Sequence, residues 1–158
     1  MVPFVTVPLR ALLSALMRTL FGRWIRRGRA TREFQQIRMD AEKCAALFVV
    51  NTQGGPVPQR PLPTGSTVLI SALHADGLLT DRAFSLLREF FGPAEQANTL
   101  LAAPAHQGPP FMSGALRLTC LLQGRRNVQI RDGNGFTLYD RVMAELAEAM
   151  TKIGRRQV

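Results

Sequence analysis

Acidic residues are missing from the first fifth of this 158-residue chain: residues 1–32 hold seven arginines and no Asp or Glu. Lysine is nearly absent throughout, since Lys43 and Lys152 are the only two and arginine supplies the other 18 cations. Cysteine is scarce as well. Cys44 and Cys120 cannot build a disulfide framework, and both sit in apolar runs where a free thiol acts as a small hydrophobe. No apolar run approaches the roughly 18 residues of a membrane span; the longest candidate is broken by Arg10 and Arg18. Secretion is not expected either. "ALLSALM" is at the lower limit for a signal core, and arginines follow where a small-residue cleavage site belongs.

The sequence also lacks the constellations that chemistry needs. His74 and His106 are far apart and neither neighbours a cysteine, so no metal-ligand spacing exists. Ser71 and Ser113 have no nucleophile-elbow context. "QGG" (53–55) runs into proline rather than a phosphate loop, and "DGNG" (132–135) lacks the later ligands of a calcium loop. The expectation is a protein without catalytic residues, metal or cofactor.

What is present is positive charge with a bias in place. The net charge is +9 and the pI about 11.3, which points to an anionic partner. Residues 33–158 hold 13 basic and 11 acidic residues, so the leader carries most of the excess. Arginine's planar fork suits phosphate, although a GC-rich genome produces the same bias.

The leader has helical periodicity. Leu9, Leu12, Leu13, Leu16, Met17, Leu20, Phe21 and Trp24 recur at i, i+3, i+4, with Arg10, Ser14 and Arg18 on the other side. Pro8 suits a first turn, and Gly28 is expected to stop the helix. Three readings of it stay open. As an interfacial membrane helix, Arg10, Arg18, Arg23, Arg26, Arg27 and Arg29 meet lipid phosphates while Leu13, Leu16, Leu20, Phe21 and Trp24 enter the acyl boundary. As a mitochondrial presequence, residues 1–30 are an address for import into the matrix. As plain structure, the stripe packs on its own domain or a partner subunit. "RWIRRGRATR" (23–32) also has a composition that can contact RNA.

Residues 33–158 are expected to form a single α+β core, a small antiparallel sheet packed by three or four helices, after the arm at 1–32. Residues 33–43 read as a helical continuation or connector. "CAALFVV" (44–50) reads as a buried strand, and "GGPVPQRPLPTG" (54–65) as a long exposed loop. "STVLISALHA" (66–75) begins β-like. Thr80 caps a helix that Gly92-Pro93 ends, and a shorter helix follows from Pro93 to Ala103. "ALRLTCLLQ" (115–123) alternates, putting Leu116, Leu118, Cys120 and Leu122 on one strand face. With 127–140, turning at "DGNG", it makes a three-stranded meander. A last helix from about Asp140 uses Val142, Met143, Leu146, Met150 and Ile153 as its core face.

This order of elements carries a resemblance. A basic, apolar leader ending "LFGRWIRR" precedes a strand run, a Pro-rich turn, the helix "AFSLLREFFG", a "PPFMSGALRLTCLL" approach to a hairpin, and a closing helix. Over most of residues 44–150 it resembles the matrix proteins of rhabdoviruses and their relatives. The resemblance implies a non-enzymatic structural protein of the virion that lines the inner face of a membrane, forms homo-oligomers and bridges to a nucleocapsid. The alternative is a mitochondrially imported subunit of a ribosome or respiratory assembly.

Overall fold

The computed structural model describes residues 9–53, 61–102 and 110–155, with side chains from residue 28 in the first stretch and from residue 114 in the third. The described chain is helical: α1 (Leu9–Val50), α2 (Ser66–Ala75), α3 (Asp81–Ala102), α4 (Pro110–Gln129) and α5 (Leu138–Arg155). The expected α+β fold is therefore corrected. The described residues form five helices, and no strand occurs among them.

The strand expected at 44–50 is the last two turns of α1. A short apolar run cannot by its own pattern be told from a buried helix segment. What decides is its continuity with the preceding turns. Ala30, Phe34, Ile37, Ala41, Cys44, Ala45 and Phe48 are all buried, at the three- and four-residue steps of one helix face. Gly28 does not stop α1; it is an exposed interior residue of the 42-residue helix, which at 1.5 Å per residue is about 63 Å long. The boundary drawn at residue 32 thus falls inside a continuous helix.

The meander is replaced by α4 and a turn. The face of α4 that packs inward presents Arg117, Leu121, Gly124 and Asn127. Only one of these is a large hydrophobe, so the helical period left no hydropathy signal, and the accidental alternation of Leu116, Leu118, Cys120 and Leu122 imitated a strand. Gly124 has a packing role. A Cβ there would lie 2.3 Å from Cε1 of Phe48, so the ring of α1 sits directly against the α4 backbone. Phe48 in turn meets Phe90 edge-on, with centroids 6.3 Å apart. Phe90 also contacts Phe91 at 5.3 Å and Tyr139 at 5.9 Å. This aromatic cluster joins α1, α3 and α5 at the centre of the core.

Pro93 does not end α3 but lies within it. Proline removes one backbone donor and disturbs the preceding turn. Buried Phe90, Phe91, Ala94 and Ala97 on both sides of it keep the helix on its course. Thr80 caps α3 as its sequence predicts, accepting from the Ala83 N–H at 3.1 Å. α2 is helical throughout and ends in a Schellman motif. Gly77, at φ +68°, donates to the His74 carbonyl and Leu78 to that of Leu73. α5 starts at Leu138, two residues before the expected Asp140, behind a reciprocal cap. Asp140 N–H donates to Thr137 Oγ1 at 3.0 Å, and Thr137 N–H to Asp140 Oδ2 at 2.9 Å. Its face of Val142, Met143, Leu146, Met150 and Ile153 packs on the core as the spacing predicts.

Long-range polar ties fix the connections. Ser66 Oγ donates to the buried carboxylate of Asp40 at 2.5 Å, pinning the start of α2 to α1. The Asn98 side chain accepts from Leu62 N–H at 2.7 Å and donates to its carbonyl at 2.9 Å. Leu62 is buried, so the end of the proline-rich stretch is clamped on α3 rather than lying wholly exposed. Residues 54–60 lie outside the described residues.

Candidate anionic-surface interface

The leader's helix is described as backbone, and its register carries the information. Stepping back from Ala30 along the buried face of α1, the next positions in the three- and four-residue series are 27, 26 and 23. All three are arginine. Continued at the same steps, the series runs on to Leu20, Leu16, Leu13 and Leu9, so three arginine positions interrupt a register that is apolar on either side. The side chains of Arg10, Leu13, Leu16, Arg18, Leu20, Phe21, Arg23, Trp24, Arg26 and Arg27 lie outside the described residues. Arg29 is within them. It is exposed, and its Nε donates to Glu33 Oε1 at 2.7 Å, an i,i+4 pair that raises the guanidinium pKa through that hydrogen bond and the carboxylate's charge. An exposed pair of this kind adds little stability and leaves the leader's charge largely in place.

Charge elsewhere is more evenly matched. A groove of about 1080 Å³ is bordered by Arg38, Arg82, Arg131 and Arg141 beside Tyr139. Three of its four arginines are neutralised from within. Arg38 pairs with Glu42 at 3.0 Å, Arg82 with Glu145 at 3.0 Å, and Arg141 with Asp132, while Arg131 donates to the Gly135 carbonyl. It makes a poor anion site.

The residues with chemical potential are quiet. No group of three or more His, Cys, Asp or Glu that could hold a metal occurs among the described residues. His74 is half-buried on α2, stacked on Phe84 at 4.2 Å and hydrogen-bonded to Asp81 at 2.8 Å; His106 lies outside the described residues. Burial pushes the Cys44 thiol up to about 12, and its Sγ donates to the Pro63 carbonyl. Burial also raises the Cys120 thiol. Neither is a thiolate at neutral pH, the form nucleophilic chemistry requires. No helix among the described residues is long and apolar enough to cross a membrane.

One surface escaped the sequence reading. Leu116, Leu118 and Leu122, expected together on one strand face, are 52%, 41% and 43% exposed on the outer side of α4. Ile130 and Phe136 follow at its end, both more than half exposed. They border a hollow of about 320 Å³ together with Arg126, Arg131 and Arg141 and the carboxylates of Glu89 and Asp132. From Pro110 to Arg131 there are four arginines and no acid. That second acid-free stretch was the available signal, masked by the strand assignment. No family model, curated protein or solved structure matches this chain.

Proposed function

We propose that this protein is a peripheral membrane protein that lays its leading helix on an anionic bilayer, with a binding rather than a catalytic role. The observation that carries the reading is the arginine interruption of α1. Arginine takes the core-facing register at 23, 26 and 27, and an apolar series spans Leu9 to Trp24 in a stretch with no acid. A helix with an apolar stripe, a dense arginine flank and no acid has the composition of an interfacial segment. Each basic residue near an anionic leaflet contributes about 1 kcal/mol, less where crowded or screened.

Continuity of α1 through residue 32 supports a leader that stays attached. Cleavage near residue 30 would cut the helix beside Ala30 and Phe34, which are buried in the core. The matrix-type reading keeps only its membrane half in this proposal. The strand that carried the resemblance is helix, and the hairpin is a helix and a turn, so element order no longer argues for a nucleocapsid partner.

The test is co-sedimentation with vesicles of mixed phosphatidylglycerol and phosphatidylcholine. Binding is expected, weakening with added salt. The double substitution Arg26→Glu, Arg27→Glu reverses two charges and should weaken partition by about two orders of magnitude. An intact protein that ignores such vesicles at low salt refutes the proposal.

A further inference from the structure

We propose that the outer face of α4, with the turn that follows it, is a second contact with the same kind of surface, an anionic lipid headgroup layer. This rests on the membrane reading above and extends it from the leader to the core.

Residues of α4 are sorted in reverse of an ordinary surface helix. Arg117 is buried, whereas Leu116, Leu118 and Leu122 are exposed. Leu118, Leu122 and Arg126 follow one another at four-residue steps and so share one face of the helix. Arg125 and Arg126 fall on either side of the line through Leu122. Ile130 and Phe136 carry the apolar surface past the helix end, where Arg131 stands beside them; of the two acids in the same hollow, Asp132 is paired with Arg141, and Glu89 leaves the arginines in excess. Arg125 is held in place, donating to the Thr52 carbonyl at 3.1 Å and through its Nε to Gln129 at 2.7 Å. Among the described residues, neither Arg125 nor Arg126 has a carboxylate within ion-pair distance. Large exposed side chains flanked by unneutralised arginines mark an interaction site rather than ordinary surface.

Charge selects the occupant. The leader of this chain or of a second copy is also free of acid, so docking it here would bring like charges together. A second α4 face presents the same conflict. The partner must be anionic. A nucleic acid would satisfy the arginines but leave a run of leucines, Ile130 and Phe136 facing phosphate. A headgroup layer over an acyl boundary satisfies both sets at once.

The experiment uses the full chain with two independent reporters. Trp24 is the sole tryptophan and reports on the leader. Leu122→Cys in a Cys120→Ser background takes a nitrobenzoxadiazole label on α4; Cys44 is buried and stays unlabelled. On mixed phosphatidylglycerol and phosphatidylcholine vesicles the label should brighten, shift to the blue and be quenched by spin-labelled lipid, and the response should fade with salt. Leu118→Gln should lower partition about tenfold without changing the Trp24 shift at saturation. Circular dichroism checks that each variant is folded, and if Leu118→Gln is not, the label decides alone.

A silent label with a shifting Trp24 overturns the α4 contact and leaves the leader's standing. A responding label with a silent Trp24 does the reverse. Silence of both overturns both. A label that responds equally to RNA, or to protein concentration without vesicles, overturns the lipid assignment in favour of nucleic acid or self-association.

Discussion

Gly124→Ala puts the packing of α1 on α4 under direct strain. The new Cβ would sit 2.3–2.4 Å from three atoms of the Phe48 ring, where ordinary carbon contacts lie at about 3.5–4.0 Å. The ring would have to retreat by more than about 1 Å. It is fully buried and edge-packed on Phe90, so it has no open side to move into. Overpacking of this kind costs about 1–3 kcal/mol. Alanine returns up to about 1 kcal/mol through its better helix propensity. With three ring atoms in conflict the upper part of the range applies, leaving a net loss of about 2 kcal/mol. In a domain of this size that lowers Tm by about 4–8 °C. Gly114→Ala is the control, in the same helix with open space around its Cβ; it should hold or raise Tm. Phe48→Leu frees part of the contested volume, so a double-mutant cycle should show Gly124→Ala costing less in that background. Urea denaturation of the four proteins of the cycle measures the loss and the coupling, and thermal denaturation of the two glycine variants measures the shift in Tm. A Gly124→Ala protein as stable as its parent, with no coupling to Phe48, would refute the close approach.

Other expectations are as definite. Gly77→Ala forces a side chain into the left-handed region at φ +68° and should cost about 1–2 kcal/mol by chemical denaturation, although nothing crowds its Cβ. Thr137→Ala removes the α5 cap and should cost about 1 kcal/mol. The hydrogen bonds from Thr137 hold the Asp140 carboxyl below its ordinary range. A depressed acid stabilises the fold above its unfolded pKa and loses that contribution as pH falls through the folded value. The gap between wild type and Asp140→Asn should therefore be full at neutral pH and close below about pH 4. Cys44, pushed up to about 12, favours the native state below its unfolded pKa and loses that contribution as pH rises toward the folded value. A thiol reagent at pH 8 should label Cys120 in the native protein, and Cys44 only after denaturant is added.

The parts legible in the sequence were those where local chemistry and packing agree. Thr80 at a cap, the 3.6-residue series of α5 and the series in the leader all state their helix directly. The central error came from helices whose inner faces are not hydrophobic. α4 packs through Arg117, Gly124 and Asn127, and Gly124 is buried because Phe48 occupies the space its side chain would take. Such a face has no signature until the neighbour is known. Pro93 misled for a related reason, because the apolar packing around it outweighs a lost backbone bond. The leader's arginines were visible from the start. Their place on the core-facing register was not, because reading 44–50 as a strand hid the reference face running from Ala30 to Phe48.

An unbroken α1 also ties the leader's heading to the body of the protein. With helix continuous from Leu9 to Val50, the leader's apolar positions keep a set angle to the core-packing face, and each residue added between them would turn one against the other by about 100°. The number of residues between the leader and Ala30 thus works like the pitch of a screw thread, setting which way the leader's positions are turned relative to the core-packing face.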